Sequence, residues 1–167
     1  MNMPFLDCNT VMKTIIFYAT KHGAAGEIAR RIADKMDGAV MHDLKQGEIP
    51  SLNDFDRIII GSSIYAGTIR REAKAFLSKN AGLLREKKPG LFLCGMDTSR
   101  KKKYFDANFP PDMLQTAKTT GFLGGIFDPK KAGILERLIM KAVAKQSVYM
   151  NTIDDAKIER FVTAMNA

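Results

Sequence analysis

Three short stretches of the sequence carry residue types that could hold a ligand. The first, Thr20-Lys21-His22-Gly23-Ala24-Ala25, joins a hydroxyl, two basic side chains and a glycine just ahead of a helical pattern. A helix N-terminus offers unpaired N–H groups and partial positive charge, which suit a phosphate. Gly23 allows close backbone approach. Neither the GxxxxGK[ST] nor the GxGxxG pattern is present, so a dinucleotide is disfavoured. The plain alternative is a strand-to-helix turn. The second stretch, Ser62-Ser63-Ile64-Tyr65-Ala66-Gly67, offers two hydroxyls, an aromatic and a glycine. A planar heteroaromatic ring needs such stacking and edge contacts; the plain alternative is a half-buried tyrosine. The third is Cys94-Gly95-Met96-Asp97-Thr98-Ser99, where a glycine again permits close approach. Cys94 follows an apolar run and has no matched histidine, so it reads as an inert buried thiol and not as a nucleophile. No catalytic acid or base stands out.

These stretches can act together only if the fold brings them together. Residues 13–19 (KTIIFYA) read as a buried strand. Ala24 to Met36 has apolar residues at three- and four-residue spacing, the mark of an amphipathic helix that Gly38 stops. Further strands are expected at Ala39–His42, Arg57–Gly61, Pro89–Cys94 and within Lys118–Phe127. Ser62–Thr68 reads as a loop, and Thr68 as the cap of a helix through Leu77. Asp128-Pro129 reads as a helix start. The following stripe, Ile134, Leu135, Leu138, Ile139, Ala142 and Val143, reads as a helix packed on the sheet. A last helix carries Ile158, Phe161, Val162 and Met165. Strands alternating with helices predict an α/β fold with a parallel sheet. Five strands fit the doubly wound order 2-1-3-4-5, a three-layer sandwich. In that order ligands bind beyond the carboxyl ends of the strands, between the first and third, where the three stretches would lie. One stretch suited to phosphate and two suited to a planar ring describe a mononucleotide such as FMN.

Length points to a single domain over residues 13–167, preceded by a short extension at 1–12. No apolar run is long enough to span a bilayer, and residues 1–11 lack the pattern of a secretory signal. Cys8 and Cys94 form neither a disulfide framework nor a metal pattern, so no metal and a cytoplasmic setting are expected. The net charge of +8 points to anionic partners. Basic residues are not interleaved with aromatics as nucleic-acid platforms require, so nucleic acid is not expected. The basic run Arg100–Lys103 reads as a solvated loop.

Residues 14–23 (TIIFYATKHG), with the Glu27-Ile28-Ala29 helix behind them, resemble the opening of flavodoxins. Asp56–Gly67 (DRIIIGSSIYAG), Phe122–Phe127 (FLGGIF) and Ile134–Lys141 (ILERLIMK) are similar to the flavodoxin-domain group that includes menaquinone-dependent protoporphyrinogen IX dehydrogenase. The resemblance implies FMN, its phosphate held by Thr20–Ala25 and its ring and ribityl chain by Ser62–Gly67 and Cys94–Ser99. Ala25 departs from the hydroxyl that flavodoxins place there, as His22 does. The resemblance also implies an oxidoreductase passing electrons from a porphyrinogen to a quinone. Contact with the inner face of a membrane would then involve the 134–143 helix, flanked by Arg137, Lys141 and Lys145. The alternative is an electron carrier that docks on a redox partner protein and has no substrate of its own. Oligomeric state is left open.

Overall fold

Residues 11–143 and 148–167 are described by a computed structural model. The expected extension up to residue 10, Cys8 and Lys145 lie outside the described residues. Strand β1 (Thr14–Ala19) leads through a four-residue turn to helix α1 (Ala24–Ala33), then β2 (Val40–Asp43) and β3 (Arg57–Tyr65). β4 (Thr68–Ile69) folds back on β3 and is followed by α2 (Arg71–Lys79), α3 (Ala81–Lys87) and β5 (Gly90–Cys94). Next come α4 (Lys101–Asn108), α5 (Pro111–Thr116), β6 (Thr119–Phe122), β7 (Ile126–Phe127) and α6 (Ile134–Val143), then β8 (Met150–Asn151) and α7 (Asp155–Asn166).

The main sheet runs β2-β1-β3-β5-β6, every pair parallel. Leaving out the short antiparallel β4, this is the order 2-1-3-4-5 of the flavodoxin-like fold. Side chains alternate between faces along each strand, and the core divides accordingly. Ile15, Phe17, Ile58, Ile60, Leu91 and Leu93 pack toward α2–α5. Ile16, Ile59, Phe92 and Cys94 pack toward α1 and α7. Burial on both faces explains why these strands are unbroken apolar runs.

Four expectations need correction. Ser62–Tyr65 is strand, not loop: β3 is nine residues long and closes on β4 in a hairpin. Thr68 therefore caps no helix; it sits in β4, and α2 begins at Arg71. The stretch 118–127 holds two strands: β6 joins the main sheet, whereas β7 pairs with β8 in a separate ribbon. Asp128-Pro129 forms a turn, with the Asp128 carboxylate accepting from the Lys130 N–H at 2.9 Å, and α6 starts six residues later.

Two further expectations concern surface and core. Arg100–Lys103 is not loop but a short 3-10 turn running into α4, with its side chains exposed. The 134–143 stripe does not pack on the sheet: Ile134 is 80% exposed, Leu135 62% and Leu138 59%. The strong periodicity marks an amphipathic helix whose apolar face the described residues leave uncovered.

Candidate functional site

The switch point of the sheet lies between β1 and β3. Their last paired residues are Ala19 and Ser62. β3 continues three residues beyond that pair, so Ser63, Ile64 and Tyr65 stand past the end of β1, beside the turn into α1. Lys21 reaches across, its Nζ 4.1 Å from the centre of the Tyr65 ring, a cation–π contact. The structure thus brings the first two stretches together.

Within the first stretch, the Thr20 hydroxyl accepts from the Gly23 N–H at 2.9 Å and closes the turn. Gly23 has φ +99°, a conformation open to glycine at no steric cost, and it caps α1. The first α1 bond runs from the Glu27 N–H to the Gly23 carbonyl, 2.9 Å. The N–H groups of Ala24, Ala25 and Gly26 precede it and have no helical acceptor. Ala24 and Ala25 are both buried, and their methyl groups pack in the core beside Ile28 and Ile16. The methyl of Ala25 is fully buried and fills core space.

Lys21 and His22 converge on one carboxylate. Glu136, from the first turn of α6, pairs through Oε1 with Lys21 Nζ, while its Oε2 lies 2.9 Å from His22 Nε2. The same Oε2 accepts from the Gly133 N–H at 3.1 Å, half of a capping box. Burial raises the Glu136 carboxyl, but the hydrogen bonds from Lys21, His22 and Gly133 outweigh it and hold the group below its usual range. Sequence reading missed this residue. Its spacing of three from Gly133 signals the cap, but nothing in the sequence signals a contact 115 residues away.

In the second stretch the two serines differ. Ser62 is buried; its hydroxyl donates to the Ser63 carbonyl at 3.1 Å and accepts from the Arg70 N–H at 3.0 Å, which braces the hairpin. The Ser63 Oγ is buried without a partner among the described residues. Ile64 packs against the core on the α2 side. Ala66 (φ +49°) and Gly67 (φ +77°) form the tip, with the positive φ pair of a type I′ turn.

In the third stretch Cys94 is fully buried, and burial pushes its thiol up to about 12. The Gly95 N–H donates to the Gly124 carbonyl at 3.0 Å, so it is engaged within the protein. A Cβ on Gly125 would stand 2.9 Å from the Gly95 backbone, which explains the glycine there. Met96 lies beside the Thr152 hydroxyl, Sδ to Oγ1 3.9 Å. Asp97 accepts from the Ser99 hydroxyl at 2.5 Å and the Ser99 N–H at 3.0 Å. Those bonds, the hydroxyl first, hold its carboxyl below the usual range despite partial burial. Asp97 thereby shapes the turn into α4. Beyond it Ser99, Arg100, Lys102, Lys103, Asp106 and Ala107 line an open hollow of about 690 Å³. Among the described residues no group of three His, Cys, Asp or Glu side chains could hold a metal, and no helix is long and apolar enough to cross a membrane.

A family model described as the flavodoxin domain matches residues 15–154. The chain belongs to the flavodoxin domain family. This flavodoxin domain resembles solved structures at low identity. A short-chain flavodoxin associated with a PDU bacterial microcompartment is 12% identical at TM-score 0.56, covering 93% of this chain and 97% of its own. Rubredoxin:oxygen oxidoreductase of Desulfovibrio gigas is 15% identical at TM-score 0.52; the match covers 92% of this chain but only 34% of that protein. This chain thus spans about a third of the Desulfovibrio protein's length. Both likenesses concern the fold. A Fusobacterium nucleatum flavodoxin solved bound to flavin mononucleotide is 14% identical, covering 93% of this chain and 97% of its own, at TM-score 0.49. No curated protein sequence matches the chain significantly.

Proposed function

We propose that this flavodoxin domain is an FMN-dependent oxidoreductase that takes electrons from an anionic reduced substrate of the porphyrinogen class and passes them to a membrane quinone. The observation that carries the flavin assignment is the meeting, at the β1–β3 switch point, of a cationic turn, the Tyr65 ring and the unpartnered Ser63 hydroxyl. The residues fit the group. Lys21 and His22 already hold a carboxylate, so the turn accepts an anion. Lys21, His22 and the N–H groups of residues 24–26 would hold the phosphate, Tyr65 would stack on the ring and Ser63 would bond its edge. When bound, the flavin supplies reversible uptake of one or two electrons. The protein's own residues bind and orient: the Ser62 brace fixes the hairpin that carries Tyr65, and Asp97 fixes the turn beside it.

The substrate and acceptor rest on charge and on surface. Protoporphyrinogen carries two propionates, and the basic hollow at the start of α4 adjoins the Asp97 turn. Quinones reside in membranes, and α6 pairs an exposed apolar face with the exposed bases Lys130, Lys131, Arg137 and Lys141. That combination suits an in-plane helix on an anionic lipid surface.

The test has two stages. The visible spectrum of the purified protein, before and after FMN is added, is expected to show bound flavin; a colourless protein that takes up none sinks the assignment. FMN-loaded protein mixed with protoporphyrinogen and a menaquinone analogue is then expected to turn over above background. Bound flavin without turnover removes the dehydrogenase and leaves an electron carrier.

A further inference from the structure

Helix α6 is attached in an unusual way. Ile134, Leu135, Leu138 and Ile139 face solvent, and among its described residues the buried one is Glu136, 8% exposed. Among the described residues, its first turn is thus anchored by a carboxylate set on the two basic side chains of the β1–α1 turn, and not by apolar packing. Lys21 and His22 both end on that carboxylate. Each oxygen of Glu136 is engaged, one by Lys21 and the other by His22 and the Gly133 N–H. An arriving phosphate needs the same two basic side chains, and two anions cannot share them without strong repulsion.

We propose that Glu136 is a built-in rival of the flavin phosphate: it occupies Lys21 and His22 when the phosphate is absent, and phosphate binding displaces it and frees α6 from the turn. The proposal rests on the assignment of a flavin mononucleotide to this site. It makes Glu136 a determinant of selectivity, because it opposes FMN but not riboflavin, which lacks the phosphate. It also couples two places on the molecule. Displacing Glu136 releases the helix that carries the exposed apolar face. By linkage, whatever draws α6 away from the turn strengthens phosphate binding by the same factor.

The variant Glu136→Gln tests this directly. Glutamine keeps the size of the side chain and an oxygen for the Gly133 N–H, so the helix cap survives, while the charge is lost. The full chain, wild type and variant, is titrated with FMN and with riboflavin, following flavin fluorescence. The expected result is FMN affinity at least about tenfold higher in the variant, the ratio that one charge-assisted hydrogen bond commands. Riboflavin affinity should stay within about twofold by the same reasoning. Hydrogen exchange supplies a second readout: amides of residues 134–143 should exchange faster when FMN, but not riboflavin, is added to the wild type. In the variant they should already be fast without ligand. Unchanged or weaker FMN binding by Glu136→Gln, or exchange in α6 that FMN leaves unaltered, overturns the rivalry while the flavin assignment stands. A wild type and variant that both fail to bind FMN overturn the assignment and the rivalry together.

Discussion

Ser62 and Ser63 are neighbours in sequence and opposite in consequence, because successive residues of a strand face opposite sides of the sheet. Ser62 spends its hydroxyl on the hairpin, one bond given and one accepted. Ser62→Ala leaves the part-buried Arg70 N–H without its acceptor, so a loss of about 1 kcal/mol in urea unfolding is expected. The Ser63 hydroxyl makes no hydrogen bond among the described residues. Ser63→Ala should leave stability within about 0.5 kcal/mol but weaken FMN binding by about three- to tenfold in a fluorescence titration. Equal effects of the two changes on stability would contradict this division of labour. Glu27 gives a prediction in pH. Hydrogen bonds from Arg30 and Arg31 hold its carboxyl at about 2, well below its ordinary 4.5. A carboxyl depressed on folding adds stability above its unfolded value and loses it as pH falls through the folded one. The wild type should therefore exceed Glu27→Gln in stability near pH 6 by about 0.5–1 kcal/mol, screening on a partly exposed helix face keeping the gain small. The gap should close between pH 4.5 and 2, as denaturant melts across that range would show.

At the scale of elements, the β3–β4 hairpin joins sequence to site. Its tip holds Ala66 at φ +49°, a region where a Cβ is crowded and a branched side chain more so. Ala66 is exposed, and a valine in an ordinary exposed loop would be nearly neutral. Here Ala66→Val should cost about 1–2 kcal/mol in thermal unfolding, while Ala66→Gly should cost nothing. This hairpin also shows where the sequence could be read and where it could not. The strands β1, β3 and β5 are apolar runs buried on both faces, and their order followed from strand–helix alternation. The end of β3 was hidden because Ser62-Ser63 carries turn-like residues into a strand; pairing of those two with Leu93 and Cys94, and of Ile64-Tyr65 with Thr68–Ile69, keeps it extended. Asp128-Pro129 has the residues of a helix start, yet the carboxylate closes a local turn instead. The position of the candidate site was legible because topology fixes it. The meeting of Lys21, His22 and Glu136 was not, because a contact between the first turn and the sixth helix leaves no periodicity or motif.

The whole molecule combines a net charge of +8 with an apolar face that its described residues do not cover. Either property alone has a bland explanation: charge keeps a protein soluble, and scattered apolar residues are ordinary on surfaces. On α6 they coincide. Ile134, Leu135 and Leu138 project on one helix, with Lys130, Lys131, Arg137 and Lys141 exposed beside or on it. An anionic bilayer would satisfy both, with the bases meeting headgroups and the leucines entering the acyl boundary. The protein should co-sediment with vesicles containing anionic phospholipid and not with purely zwitterionic ones. Raising salt from about 0.1 to about 0.5 M should release most of it, because screening then acts within a few ångströms. The double variant Leu135→Ser/Leu138→Ser removes the apolar share without touching the core, since both residues are exposed. It should fold as the wild type does but bind anionic vesicles about tenfold or more weakly, each leucine side chain being worth about 1.5–3 kcal/mol when fully transferred from water. Binding that ignores salt would remove the electrostatic half of the argument, and binding unchanged in the double variant would remove α6 from it.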